Sequence, residues 1–222
     1  MNISLAFVAG RELSLPAILL FVMLMNNYDR MLLSAQQRFL EYDPCVLASR
    51  SGVEDHIDHF ATRFLGQQAC IFKDNGCVTL DGEMADFIQT LSILDWLCDG
   101  KPDAVASEAY CPVASLPGVY VGGSGLSMEM PSLADAIHVA PDVFRNAFQT
   151  MGATEEKLGD LGAKLEIFPG LTMCLKFYFG DEEFAPQLTL LWDRNMLHFV
   201  RYETIYYIAG CLQKRLLALM NV

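Results

Sequence analysis

The chain has 222 residues, 53% of them apolar, and a net charge of −12 from 27 acidic and 15 basic side chains. That length and apolar share suit one well-filled core and exclude a disordered chain. No basic run is longer than Lys214-Arg215, so the clustered positive charge of a nucleic-acid-binding protein is missing, and the acidic balance repels anionic lipid.

Leu13 to Met25 reads LSLPAILLFVMLM, thirteen residues without a charge. A bilayer-spanning helix needs about 20, and Arg11-Glu12 blocks extension backwards. No small-residue cleavage site follows, only NNYDR. Residues 1–26 therefore read as an N-terminal extension, with translation starting at Met23 or Met25 or with the apolar segment docked on the protein, in preference to a membrane anchor. Residues 27–222 read as a single α+β domain.

Tyr28, Met31, Leu32, Ala35, Phe39 and Tyr42 recur at helical spacing, with Asn26 or Asn27 as the cap and Pro44 as the stop. A short helical piece, 45–51, closes at Gly52. Residues 53–81 read as strands. In QQACIFKDNGCVTLD, Asn75-Gly76 is the favoured pair for a two-residue type I′ turn, which sets Cys70 opposite Asp81 and Asp74 opposite Cys77. In that register Cys70 and Cys77 stand about 13 Å apart along the hairpin as two buried thiols.

A helix is predicted from Met84 to Cys98, its apolar face Phe87, Ile88, Leu91, Leu94, Leu97 and Cys98. Residues 100–131 are loop-rich. Helical pieces follow at 133–139 and 141–151, the second with Pro141 as first residue. Residues 163–168, 171–179 and 187–192 make a three-stranded antiparallel meander, and a long helix runs from Tyr202 to Met220. Lys214 and Arg215 complement the dipole at its end. The predicted fold is thus an antiparallel sheet, an N-terminal hairpin plus the meander, packed with helices.

Seven cysteines, an odd count with no C-x-x-C, give no local zinc or iron–sulfur signature and fit a reducing cytoplasm. GGSG at 122–125 lacks the lysine and spacing of a phosphate loop and reads as an ordinary flexible loop. His56 and His59 are the best metal pair by residue type. Residues three apart point to opposite faces of a strand, which weakens the pair and favours an exposed strand or bend with solvated histidines. No cysteine–histidine pairing carries a flanking catalytic signature. The remaining candidates for binding are Asp181, Glu182, Glu183 and Phe184 in the turn and Asp193 and Asn195 beyond it, although the turn reads first as a solvated one whose charges blunt a sheet edge, with Pro186 limiting extra pairing, and then as a docking point or a metal or catalytic site. A meander sets Asp193 a strand length, about 20 Å, from the turn, so paired-carboxylate chemistry is not expected of them.

The pattern FPGLTMCLKFYFGDEEFAPQLTLLWDRN, with NYDRMLLSAQQRFLEYDP and FLGQQACIF upstream, resembles a family of uncharacterised bacterial and archaeal proteins, mostly from anaerobes, over residues 27–220. Some relatives carry the domain fused to an iron–sulfur domain of corrinoid-protein type. The resemblance implies an accessory or interaction role near anaerobic redox or one-carbon metabolism, with an iron–sulfur or corrinoid protein as partner. It carries over no catalytic residue and leaves the cofactor open, and any iron–sulfur cluster would belong to a partner, because no four-cysteine motif is present in this chain. Two other readings stay open: an enzyme or small-ligand binder with a pocket between the 118–131 loop and the C-terminal sheet, and a metal or cofactor binder through Cys and His.

Overall fold

A computed structural model describes residues 7–8, 11–12, 26–119, 128 and 130–221. A two-residue ladder pairs β1 (Phe7–Val8) with β2 (Arg11–Glu12). Helix α1 (Asn27–Glu41) starts on Asn26, whose side chain accepts from Asp29 N while Asp29 answers through the Asn26 N–H. This reciprocal box satisfies donors that a helix start leaves unpaired. Pro44 opens the short α2 (Pro44–Ala48).

The first sheet is a five-stranded antiparallel meander: β3 (Glu54–Asp55), β4 (His59–Phe64), β5 (Gln67–Phe72), β6 (Val78–Leu80) and β7 (Glu83–Met84). Its tight turns are not where the sequence pointed. Leu65-Gly66 and Asp81-Gly82 both have positive φ at each residue, the geometry of a type I′ turn. At 75–76 only Gly76 adopts it. Asn75 instead accepts from Cys77 N through its side chain, and Gly76 N donates to Phe72 O, closing a four-residue loop. The register shifts accordingly, Cys70 facing Thr79 rather than Asp81. Both Cys70 and Cys77 are half-buried rather than buried, and they stand two residues closer along the hairpin than expected.

Helix α3 (Phe87–Asp99) begins three residues later than predicted, because the Asp81-Gly82 turn and β7 occupy the preceding stretch. Asp86 caps it, and every residue from Thr90 to Cys98 is buried. The second sheet runs in the order β8 (Tyr110–Cys111), β12 (Gln187–Asp193), β11 (Leu171–Tyr178), β10 (Leu161–Phe168), β9 (Thr154–Glu155). The predicted meander is its centre. Helices α4 (Pro131–Val139), α5 (Pro141–Thr150) and the short α6 (Met196–Phe199) flank it, and α7 (Tyr202–Met220) packs against α3, α4 and α5. The fold is α+β, with two antiparallel sheets and the long C-terminal helix.

One core joins both sheets. The tip of the β4–β5 hairpin reaches β10, where Leu65 N donates to Ile167 O at 2.9 Å. Phe64 stacks on Phe168 at 4.9 Å, and Trp96 lies parallel to Phe168 at 4.5 Å. Gly66 permits the approach: its φ is +80°, and a Cβ there would sit 2.3 Å from Met151 O. Of the stripe that spacing predicts on α7, Ile205, Ile208, Ala209, Leu212 and Leu216 are buried and Leu219 is half-buried. Lys214 does not serve the helix dipole. Its ammonium pairs with Asp86, the cap of α3, at 2.6 Å.

Candidate functional site

The turn after β11 is built by its own first carboxylate. Asp181 Oδ1 accepts from Glu183 N at 2.9 Å and Phe184 N at 2.8 Å, and Asp181 N donates to Phe184 O at 2.9 Å. Those two N–H donors hold the Asp181 carboxyl below its usual pKa by favouring the ionised form. Gly180 allows the chain to fold tightly onto itself, since a Cβ there would come 2.7 Å from Pro186 N. Gly180 N lies 3.4 Å from His138 Nδ1 on α4, whose ring faces Phe179 at 5.9 Å. The outcome is a fixed loop with Asp181, Glu182 and Glu183 exposed and the Phe184 ring 64% exposed at its tip. Tyr178 and Phe179 are exposed at its base.

Asp193 and Asn195 belong elsewhere. Asp193 ends β12, is 0% exposed, and accepts four hydrogen bonds. Ser107 N and Ser107 Oγ reach Oδ1 at 3.0 Å each and Asn195 N at 2.8 Å, while Glu108 N reaches Oδ2 at 2.8 Å. Asn195 Nδ2 donates to Val105 O at 3.0 Å. The pair latches the 105–109 segment so that β8 can join the sheet edge. It holds structure and shares no geometry with the acidic turn.

His56 and His59 depart from the strand argument. His56 lies between β3 and β4, just before the bend at 57–58, and the two imidazoles stack at 4.5 Å with an interplanar angle of 10° instead of facing apart. Asp58 bonds His59 at 2.8 Å, and Lys73 pairs with Asp55. Among the described residues, no group of three or more His, Cys, Asp and Glu side chains is placed to hold a metal ion. All seven cysteines are free. The pocket expected against the 118–131 loop falls mostly on residues 120–127 and 129, outside the described residues.

A second polar constellation was not singled out by sequence reasoning. A groove of about 380 Å³ lies between α1, α3 and α7. Behind it, Arg38 Nη2 donates to Asp95 Oδ1 and Thr204 Oγ1 to Asp95 Oδ2, both at 2.6 Å. Asp99 Oδ2 lies 2.8 Å from Arg201 Nε and 3.1 Å from Arg38 Nη1, ionic contacts poorly aligned as hydrogen bonds. Burial alone would lower the Arg38 pKa, but Asp95 and Asp99 outweigh it and raise it. Burial likewise raises the Asp99 carboxyl, with Arg38 and Arg201 opposing. The available signal was Asp95 itself, an ionisable residue inside the apolar run ILDWLC of a buried helix.

Residues 43–215 match the model of the family described as Domain of unknown function (DUF3786). The chain belongs to this family. The DUF3786 match spans both sheets, the acidic turn, the Asp193 latch and most of α7, and begins within the loop that follows α1. No curated protein and no solved structure matched the chain. Among the described residues, no helix is long and apolar enough to cross a membrane.

Proposed function

We propose that this DUF3786 protein is a non-catalytic accessory module of the cytoplasm that docks onto a partner through the turn 180–186. The observation that carries the reading is the exposure of Phe184 on a loop pre-shaped by Asp181. An aromatic side chain left in water beside fixed charges is poor for solubility and suits an interface, where a ring supplies apolar contact and the carboxylates supply orientation. Because the loop is held by its own hydrogen bonds, little ordering entropy is lost on docking. Three exposed carboxylates select a basic face on the partner. By family resemblance, that partner is an iron–sulfur or corrinoid protein of anaerobic redox or one-carbon metabolism.

The test is affinity capture from anaerobic extract of the native host, with captured proteins identified and assayed for iron and cobalt. Wild-type protein is expected to retain a basic iron- or cobalt-containing partner in a salt-sensitive manner. Phe184→Ala, and separately Glu182→Gln with Glu183→Gln, should release it while leaving the far-ultraviolet circular dichroism unchanged. Capture that survives all of these changes, or substrate turnover by the pure protein, would refute the docking role.

A further inference from the structure

The groove between α1, α3 and α7 combines an apolar floor with an arginine rim. Met31, Ala35, Leu91 and the Tyr207 ring line it, and Arg30, Arg38 and Arg201 stand around it with Ser34 and Thr204. Arg30, Ser34 and Arg38 recur at i, i+4 and i+8 along α1, so one helix face carries the rim. This is the make-up of a small-molecule site: mostly apolar walls with a few polar groups that fix orientation.

The charges narrow the ligand. Arg38 is committed to Asp95 and Asp99, and Arg201 binds Asp99 through Nε and Nη2, leaving its other terminal nitrogen without an assigned partner. Arg30 makes no ion pair among the described residues. The carboxylates facing the groove are Asp95, already saturated by Arg38 and Thr204, and the exposed Glu203. Three guanidiniums therefore stand against Asp95, Asp99 and Glu203, and the balance is neutral. The uncommitted donors are Arg30 and one terminal nitrogen of Arg201, enough for one carboxylate but few for a multiply charged anion such as phosphate, which Glu203 would also repel more strongly. A single carboxylate can take charge-assisted hydrogen bonds from these donors while its carbon body covers Met31, Leu91 and Tyr207.

We infer that this groove binds a small organic monocarboxylate with an apolar body. The site is remote from the 180–186 turn in sequence, and the inference stands independently of the docking role. It is tested by isothermal titration of the full chain with 4-methylpentanoate, benzoate and phenylacetate, with 4-methylpentanamide and inorganic phosphate as controls. At least one of the three acids should bind saturably, with the amide and phosphate binding at least tenfold more weakly. Arg30→Gln, which removes one charged donor from an exposed position, should weaken it about tenfold. Met31→Glu, also at an exposed position, should do the same by placing a negative charge on the floor, so either variant can decide. Absence of binding by all three acids up to about 10 mM, a range that captures even millimolar affinities, overturns the inference. So does equal affinity in both variants, or phosphate binding as well as the acids.

Discussion

Replacing Asp193 by Asn isolates the latch that fixes the 105–109 segment. The wild-type carboxylate takes three donors on Oδ1 and one on Oδ2. An amide with its oxygen at Oδ1 can keep the three, but as neutral bonds. Its NH2 then faces Glu108 N, donor against donor. A bond to an ionised group contributes about 1.5–3 kcal/mol and a neutral one about 0.5–1.5 kcal/mol, so losing one bond and weakening three would cost at most about 4.5–7.5 kcal/mol if the bonds were additive. Because all four share one carboxylate and a neutral amide is less costly to bury, about 2–4 kcal/mol is expected. Ser107→Ala, which removes only the hydroxyl donor, should cost about 1 kcal/mol, and the double variant should fall short of the sum because both changes act on one oxygen. Urea unfolding measures the loss, with an unchanged m-value showing that both end states keep their compactness. Amide exchange at Ser107, Glu108 and Asn195 reports the latch directly. A loss below about 1 kcal/mol with unchanged exchange at these amides would refute the reasoning, since a buried carboxylate with four donors cannot be that dispensable.

Four further outcomes are expected. Asp95→Asn should destabilise by about 2–4 kcal/mol in urea unfolding, because Arg38 loses the charge it is half-buried against. Gly66→Ala should cost more than about 2 kcal/mol from the clash with Met151 O added to a positive φ, whereas Gly82→Ala, at +88° with nothing within 4 Å, should cost only about 1 kcal/mol; equal losses would mean that the hairpin tip does not seat as described. In native protein a thiol reagent should modify exposed Cys45 first and reach Cys98, Cys174 and Cys211 only on unfolding. Burial pushes these three thiols up to about 11, 11 and 12, from an ordinary 9.0. Between pH 9 and those values the unfolded chain releases protons that the folded one keeps, so this contribution to stability is complete below pH 9 and is lost as pH rises toward 11–12; a midpoint of urea unfolding that stays flat from pH 8.5 to 11 would contradict it.

Most of the architecture was legible because local signals and burial agree. The spacing of Ile205, Ile208, Leu212 and Leu216 sets one face of α7, and Asn26, Pro44 and Pro141 mark helix boundaries through their own backbone chemistry. Turn type was less legible. Asn75-Gly76 is the stronger pair by residue preference, yet the loop there packs on α1, where a Gly76 Cβ would lie 3.1 Å from the Phe39 ring, and tertiary contact overrides propensity. Leu65 takes a positive φ because it is buried, with its N–H bonded to Ile167, something no residue preference announces. For the candidate residues, strand length separated Asp193 from the acidic turn correctly, but composition could not show that one carboxylate is sealed and the others lie in water. The groove was missed because Leu91, Arg201 and Tyr207 come to Arg30 and Arg38 of α1 only through the fold.

The covering of α3 has a consequence for how the chain is made. Each sheet is a meander whose strands pair mostly with near neighbours, so both can assemble from local contacts. The helix from Phe87 to Asp99 cannot be completed that way. Its Asp95 waits for Thr204, 109 residues downstream, and its flank for α7. During synthesis, the ribosome thus releases a helix destined for almost complete burial long before its cover emerges. A polypeptide stopped short of Tyr202 would hold two nearly finished sheets around an open greasy seam, the form in which chaperones bind and aggregates begin.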